Sequence, residues 1–140
     1  MTYLLDTNLV SELRKTPARI DPRVAEWATN VMAGEQFISA ITLSEIELGV
    51  LQVERRDSRR GAVWRRWLEQ NVRRPFAGRT LPVDGEVARQ AAGLHVPDPK
   101  PERDGYILAT ALVHGLTVVT RNVSDFEATG VAVINPWEAM

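Results

Sequence analysis

The 140-residue sequence contains no cysteine and only two histidines, His95 and His114. The first absence excludes disulfides, thiol catalysis and iron–sulfur clusters, and the second leaves too few nitrogen donors for a histidine-rich zinc site. Any metal would have to rest on oxygen ligands. Long apolar runs are missing as well. Ile107 to Val113 falls far short of the roughly 18 residues needed to cross a bilayer, and Asp6 stands where a signal peptide would continue apolar. These features predict a soluble, cytoplasmic protein with no membrane role. A net charge of −1 gives no global basic field to attract nucleic acid. Lysine is scarce, so the positive charge is nearly all arginine, concentrated at Arg55, Arg56, Arg59, Arg60, Arg65, Arg66, Arg73 and Arg74.

What is present, at 44% hydrophobic and 25% charged residues, suffices for one domain over residues 1–140 that buries about two-thirds of its unfolded surface. Tyr3 to Leu5 and Gln36 to Ala40 are apolar runs that predict buried strands. Asp21 before Pro22 reads as a helix N-cap, followed by Val24, Trp27, Ala28 and Val31 at helical spacing. Leu43, Ile46, Val50 and Val53 mark another helix, and an arginine-rich helical segment is expected from about Ser58 to Val72. Leu81 to Val83 is a brief strand, after which Asp84 caps a helix through Leu94. From Arg103 to Val113 the chain is apolar on nearly all sides, as in a buried helix, with His114 at its carboxyl end and Gly115 at a left-handed terminus. Leu116 to Thr120 and Val131 to Ile134 complete the strands. Strands separated by helices predict an α/β fold whose central, mainly parallel sheet is covered on both faces.

Ligands of such sheets collect at the carboxyl ends of the strands. Four acids are expected there: Asp6 ends the first strand, Glu45 falls in the first turn of the helix after the second, Asp104 opens the buried helix, and Asp125 follows Leu116 to Thr120. Each has a plainer explanation. Thr42-Leu-Ser-Glu45 is a capping-box pattern, and Asp104 suits a helix dipole. Together they are harder to explain structurally, because two carboxylates about 4 Å apart repel by roughly 4 kcal/mol at an effective dielectric near 20. A divalent ion such as Mg²⁺ or Mn²⁺ removes that cost, since it prefers hard oxygen ligands. Such a site suits phosphodiester hydrolysis by a metal-activated water without a histidine base. Thr7, Asn8, Thr120 and Asn122 lie near the same edge, either orienting groups in the site or serving as turn and cap residues.

Three blocks carry a resemblance: Tyr3-Leu-Leu-Asp-Thr-Asn-Leu-Val10, Ile38-Ser-Ala-Ile-Thr-Leu-Ser-Glu-Ile-Glu-Leu-Gly49, and the run from Arg103-Asp-Gly-Tyr106 through Thr120-Arg-Asn-Val-Ser-Asp-Phe126. In order and spread they resemble the motifs of PIN-domain toxins of the VapC and FitB-like type. The resemblance implies a PIN-like three-layer domain in which Asp6, Glu45 and Asp104 are the core acids, Asp125 a more variable fourth, and Thr120 the hydroxyl beside them. It implies an endoribonuclease toxin of a type II toxin–antitoxin pair, commonly homodimeric, inhibited by a VapB/FitA-like antitoxin and reaching DNA only through it. Cleavage would leave 5′-phosphate and 3′-hydroxyl ends. Residues two apart on a helix point nearly opposite ways, so Glu45 and Glu47 cannot both face the site. Glu45 aligns with the motif acid; Glu47 is expected to face solvent or a partner. Gly105 and Tyr106 depart from the small or aliphatic residues more usual after the third acid.

Two other readings compete. A haloacid-dehalogenase-like phosphatase also places an Asp after its first strand, but its second acid would fall at Asn8. A catalytically idle module acting through antitoxin and operator DNA would have no use for four gathered acids. Trp64, Trp67 and Trp137 are expected to pack inward. For Arg55, Arg56, Arg59 and Arg60, RNA contact, an acidic antitoxin segment and plain solubility are all compatible with the sequence.

Overall fold

The computed structural model describes residues 1–126 and 129–138. Strand β1 (Tyr3–Leu5) sends Leu4 and Leu5 to opposite faces of the sheet, and both are wholly buried. Leu5 joins Leu9, Val50, Leu68 and Trp137 in one core, whereas Leu4 joins Ile107, Leu108 and Phe126 in another. Each leucine so buried is worth about 1.5–3 kcal/mol. The sheet is therefore the middle of three layers.

Asp6 ends β1 in extended conformation and caps helix α1 (Thr7–Leu13), an element the periodicity did not predict. Leu9, Val10 and the partly buried Leu13 give it an apolar face, too short a stripe to stand out in sequence. Helix α2 (Pro22–Asn30) starts as expected, with the Asp21 carboxylate accepting from the Arg23 amide. Strand β2 (Gln36–Ser39) runs directly into α3 (Ala40–Arg56), because the Ser39 hydroxyl accepts from the Ile41 amide and caps it. Ala40 is thus helical rather than the end of the strand, and Glu45 lies in the second helical turn. The Thr42 to Glu45 capping box does not form.

Helix α4 (Ser58–Trp67) is capped by Asp57, and the expected helix to Val72 continues as a π-helical stretch, Leu68–Arg73. Strand β3 (Thr80–Leu81) stops where Pro82, lacking an N–H, cannot extend the ladder. Helix α5 (Gly85–Leu94) has the Asp84 carboxylate accepting from the Val87 amide at 2.9 Å. Helix α6 (Glu102–His114) ends at Gly115, whose φ of 67° lies in the left-handed region that glycine tolerates. Strands β4 (Thr117–Val119) and β5 (Val133–Ile134) are shorter than expected. Hydrogen bonds nevertheless run past their ends, from the Thr120 amide to the Ile134 carbonyl and from the Val118 amide to the Ala132 carbonyl.

All four strand pairings are parallel, in the order β3-β2-β1-β4-β5. The chain moves outward from β1 through β2 to β3, then crosses to the other side of β1. The loops after β1 and β4 consequently part at the carboxyl edge, which is where crevices open in such sheets. Among the described residues, no helix is long and apolar enough to cross a membrane.

Candidate active site

Three of the four expected acids meet at that edge. Asp6 is only 1% exposed, placed by the end of β1, and Asp104 is 6% exposed in the first turn of α6. Glu45 reaches across from α3. All three converge on one cation, the guanidinium of Arg103. Nη2 donates to Asp6 Oδ1 at 2.7 Å and to Glu45 Oε1 at 2.8 Å, Nε donates to Glu45 Oε2 at 2.7 Å, and Nη1 donates to Asp104 Oδ1 at 2.8 Å. Sequence reasoning missed Arg103. The available signal was its place beside Asp104 at the start of an otherwise apolar helix, where a long charged side chain must reach either water or the acids.

Hydroxyls hold the carboxylates in place. Thr120 donates to Asp6 Oδ2 at 2.8 Å while accepting from Asn8 Nδ2 at 3.2 Å and from the Asn122 amide at 3.1 Å. Two donors aimed at the Thr120 oxygen leave its single proton for Asp6. Thr7 donates to Glu45 Oε1 at 2.5 Å, and its amide donates to Asp6 Oδ1 at 2.8 Å. Of the neutral residues expected near the edge, Thr7 and Thr120 therefore touch the acids directly, and Asn8 and Asn122 act on Thr120.

The acids differ in electrostatic setting. Burial would raise the proton affinity of Glu45, but hydrogen bonds from Arg103 and Thr7, with the arginine's charge, hold it below the usual glutamate range. Asp104 is pushed the other way: burial outweighs its bond to Arg103, and the charges of Asp125 and Asp6 add to the rise. For Arg103 partial burial opposes the charge, yet the bonds and fields of Glu45 and Asp6 prevail and strengthen its hold on its proton. Three carboxylates against one guanidinium leave the cluster strongly negative.

Asp125 stands apart. It closes a short 3₁₀ turn, Val123–Asp125, is exposed, and its side chain forms no hydrogen bond or ion pair among the described residues. Its link to the cluster is the through-space effect on Asp104. Glu47 points away from the site, as helical spacing requires, but is covered by this chain's own Arg65, whose Nη2 lies 2.6 Å from Glu47 Oε2. Arg65 also pairs with Glu54 and Glu69, so it is committed within the fold. Arg55, Arg56, Arg59 and Arg60 are exposed. Trp137 is buried as expected, while Trp64 and Trp67 are only partly buried against the same core.

The donors around Arg103 are all oxygens with excess negative charge, which is the chemistry a hard divalent ion requires. As they stand, no three acidic or histidine side chains among the described residues converge closely enough to hold one ion. The space between them is filled by the guanidinium.

Known proteins share this arrangement of elements. The chain is 39% identical over 140 residues to VapC ribonuclease Y4jK of Sinorhizobium fredii, covering 96% of this chain and 97% of that relative. It is 41% identical over 141 residues to toxin FitB of Neisseria gonorrhoeae, again covering 96% of this chain and 97% of the relative. The solved structure of FitAB bound to an IR36 DNA fragment superposes with a TM-score of 0.89 at 35% identity, covering 99% of this chain and 98% of that one. The model of the PIN domain matches residues 3–131, a span that holds β1, Asp6, Glu45, Asp104 and Thr120 together. By fold, by sequence and by the residues drawn to the carboxyl edge of its sheet, this chain belongs to the PIN-domain family.

Proposed function

We propose that the protein is a Mg²⁺- or Mn²⁺-dependent endoribonuclease and the toxin of a type II toxin–antitoxin module. The observation that carries the chemistry is the convergence of Asp6, Glu45 and Asp104, from three different elements, on a single cation. Nothing in the fold's packing calls for three carboxylates in one place, whereas a cation site does. RNA as substrate and the toxin role are supported by the relatives' names, VapC ribonuclease and toxin FitB.

Asp6, Glu45 and Asp104 would hold the ion, with Asp125 at the rim. When bound, the ion would supply an activated water and neutralise charge on the phosphoryl group. The chain's own contribution is preorganisation. Thr120 fixes the rotamer of Asp6, Thr7 fixes Glu45, and the buried start of α6 fixes Asp104. The resemblance to toxin FitB, and the FitAB assembly on DNA, support a small FitA- or VapB-like antitoxin as partner, with DNA reached through it; this reading also takes a homodimer as the working unit. RNA as substrate places the work in the cytoplasm.

The test is Asp6→Asn in purified protein, scored by cleavage of RNA in Mg²⁺ or Mn²⁺ with circular dichroism as the folding control. Loss of cleavage by a folded variant is expected. Undiminished cleavage would remove Asp6, and with it the site, from the proposal.

A further inference from the structure

Arg103 fills the place that the foregoing reading gives to a metal ion. Its guanidinium engages Asp6 Oδ1, both oxygens of Glu45 and Asp104 Oδ1, at 2.7–2.8 Å. A Mg²⁺ ion would need such oxygens at about 2.0–2.1 Å from one point. The three carboxylates are arranged around the planar guanidinium, so an ion drawing all of them to itself would have to take the guanidinium's place, and the two cations exclude each other. We propose that Arg103 is an intramolecular competitor for the metal: it holds the acids together in the metal-free protein, and a divalent ion binds by displacing its side chain. The inference rests on the metal-site reading and adds to it the gating of that site by a residue of the same chain.

The geometry supports displacement of the arginine rather than of the acids. Asp6 is 1% exposed and bonded on its far oxygen by Thr120, and Asp104 is fixed in the buried helix α6. The Arg103 side chain, by contrast, is 31% exposed, so it has a path to water. Its anchors are ionic and will answer to a stronger charge. Replacing one positive charge by two among three carboxylates favours the metal once its concentration is high enough. Until then the arginine removes the mutual repulsion that would otherwise loosen the site. Because only molecules with Arg103 swung out can bind metal, the apparent affinity falls in proportion to their fraction.

The experiment compares wild type with Arg103→Met, which keeps most of the apolar stem and removes the charge. Mn²⁺ binding is measured by calorimetry and by the electron paramagnetic resonance of free Mn²⁺. Mn²⁺ is expected to bind the variant roughly tenfold or more tightly, the inverse of the small fraction of wild type in the open state. Added Mn²⁺ should also raise the variant's Tm more than that of wild type. Equal or weaker binding by the variant overturns the inference while leaving the metal reading in place. Binding to neither protein at millimolar Mn²⁺ overturns both. Should Arg103→Met fail to fold, the wild type alone decides. In a Mg²⁺ titration followed by NMR, the Nε–H resonance of Arg103 should move with the same midpoint as calorimetric binding, and a resonance unmoved at saturation overturns the inference.

Discussion

The Thr120 hydroxyl, at the end of β4, donates to the inner oxygen of Asp6, at the end of the neighbouring strand β1, over 2.8 Å. Both side chains are buried, at 0% and 1% exposure. The bond ties together the two strands whose diverging loops form the site, and it leaves the outer oxygen of Asp6 to face the cation.

Thr120→Val keeps the side-chain shape while leaving Asp6 Oδ2 without its donor. The expected cost is about 1–3 kcal/mol in urea unfolding, the penalty for an unsatisfied buried acceptor. Metal affinity or cleavage should fall by about 10–100-fold, as for other residues that orient a metal ligand. Thr120→Ser should recover most of both. A Val variant with undiminished cleavage would make Thr120 a packing residue only.

Glu45 and Glu47, two positions apart on α3, should separate cleanly. Glu45→Gln loses charge at the cluster and a strong partner of Arg103, so Mn²⁺ binding and cleavage should both drop steeply. Glu47→Gln breaks one of the ion pairs to a partly exposed arginine and should change stability by only about 0–1 kcal/mol. Its cleavage rate should match wild type. Parallel assays of the two variants, normalised to folded protein, check the assignment.

Gly105, which follows the third acid, has a structural reason to be glycine. A Cβ there would come within 2.7 Å of His95 Nε2. His95 is itself held, its Nδ1 accepting from the Lys100 amide at 3.2 Å. Gly105→Ala should therefore destabilise by about 1–3 kcal/mol through overpacking. His95→Ala in the same chain should recover part of that loss. Denaturation midpoints of the two single variants and the double variant give the coupling; strict additivity would mean that the two residues do not clash.

Glu12 predicts an acid-side dependence. It is buried in α1, accepting from Lys15 Nζ at 2.9 Å and from the Asp21 amide at 2.9 Å. Burial alone would raise its proton affinity, but the Lys15 and Asp21 bonds and the lysine's charge outweigh it and the repulsion of Asp21. Its folded pKa thus lies below the ordinary glutamate value of 4.5. Its contribution is complete above that value and disappears as pH falls through the lowered one. Urea unfolding of Glu12→Gln, followed from neutral pH to about pH 3, should show the variant weaker at neutral pH and the gap closing in acid. A gap independent of pH would assign the loss to packing.

The order of strands and helices, and three of the acids, were legible because local rules govern them. Asp6 follows an apolar strand, Asp21 and Asp84 cap helices as their sequence contexts require, and Glu45 is separated from Glu47 by helical spacing alone. Helix α1 was not legible, for its apolar face is only Leu9, Val10 and Leu13 within seven residues, and its stability comes from docking on the core that Leu5 of β1 and Val50 of α3 share. Nor was the true cap of α3. Ser39 and Thr42 are both competent caps, and β2 pairing through Ser39 with Leu81 decides where the strand stops.

By itself, then, the sequence determined an oxygen-rich acidic site at the carboxyl edge of a parallel sheet, since strand ends, helix starts and the lack of cysteine are properties of short segments. Only the tertiary structure decided what those acids face. Arg103 is 97 residues from Asp6 and 58 from Glu45 along the chain, and no local pattern connects them. They meet because the end of β1 and the starts of α3 and α6 lie at one place, and charges brought that close in a partly buried site must find partners. The same assembly left Asp125 at the exposed rim and gave Glu47 to Arg65, distinctions of side-chain environment that segments of like composition cannot express.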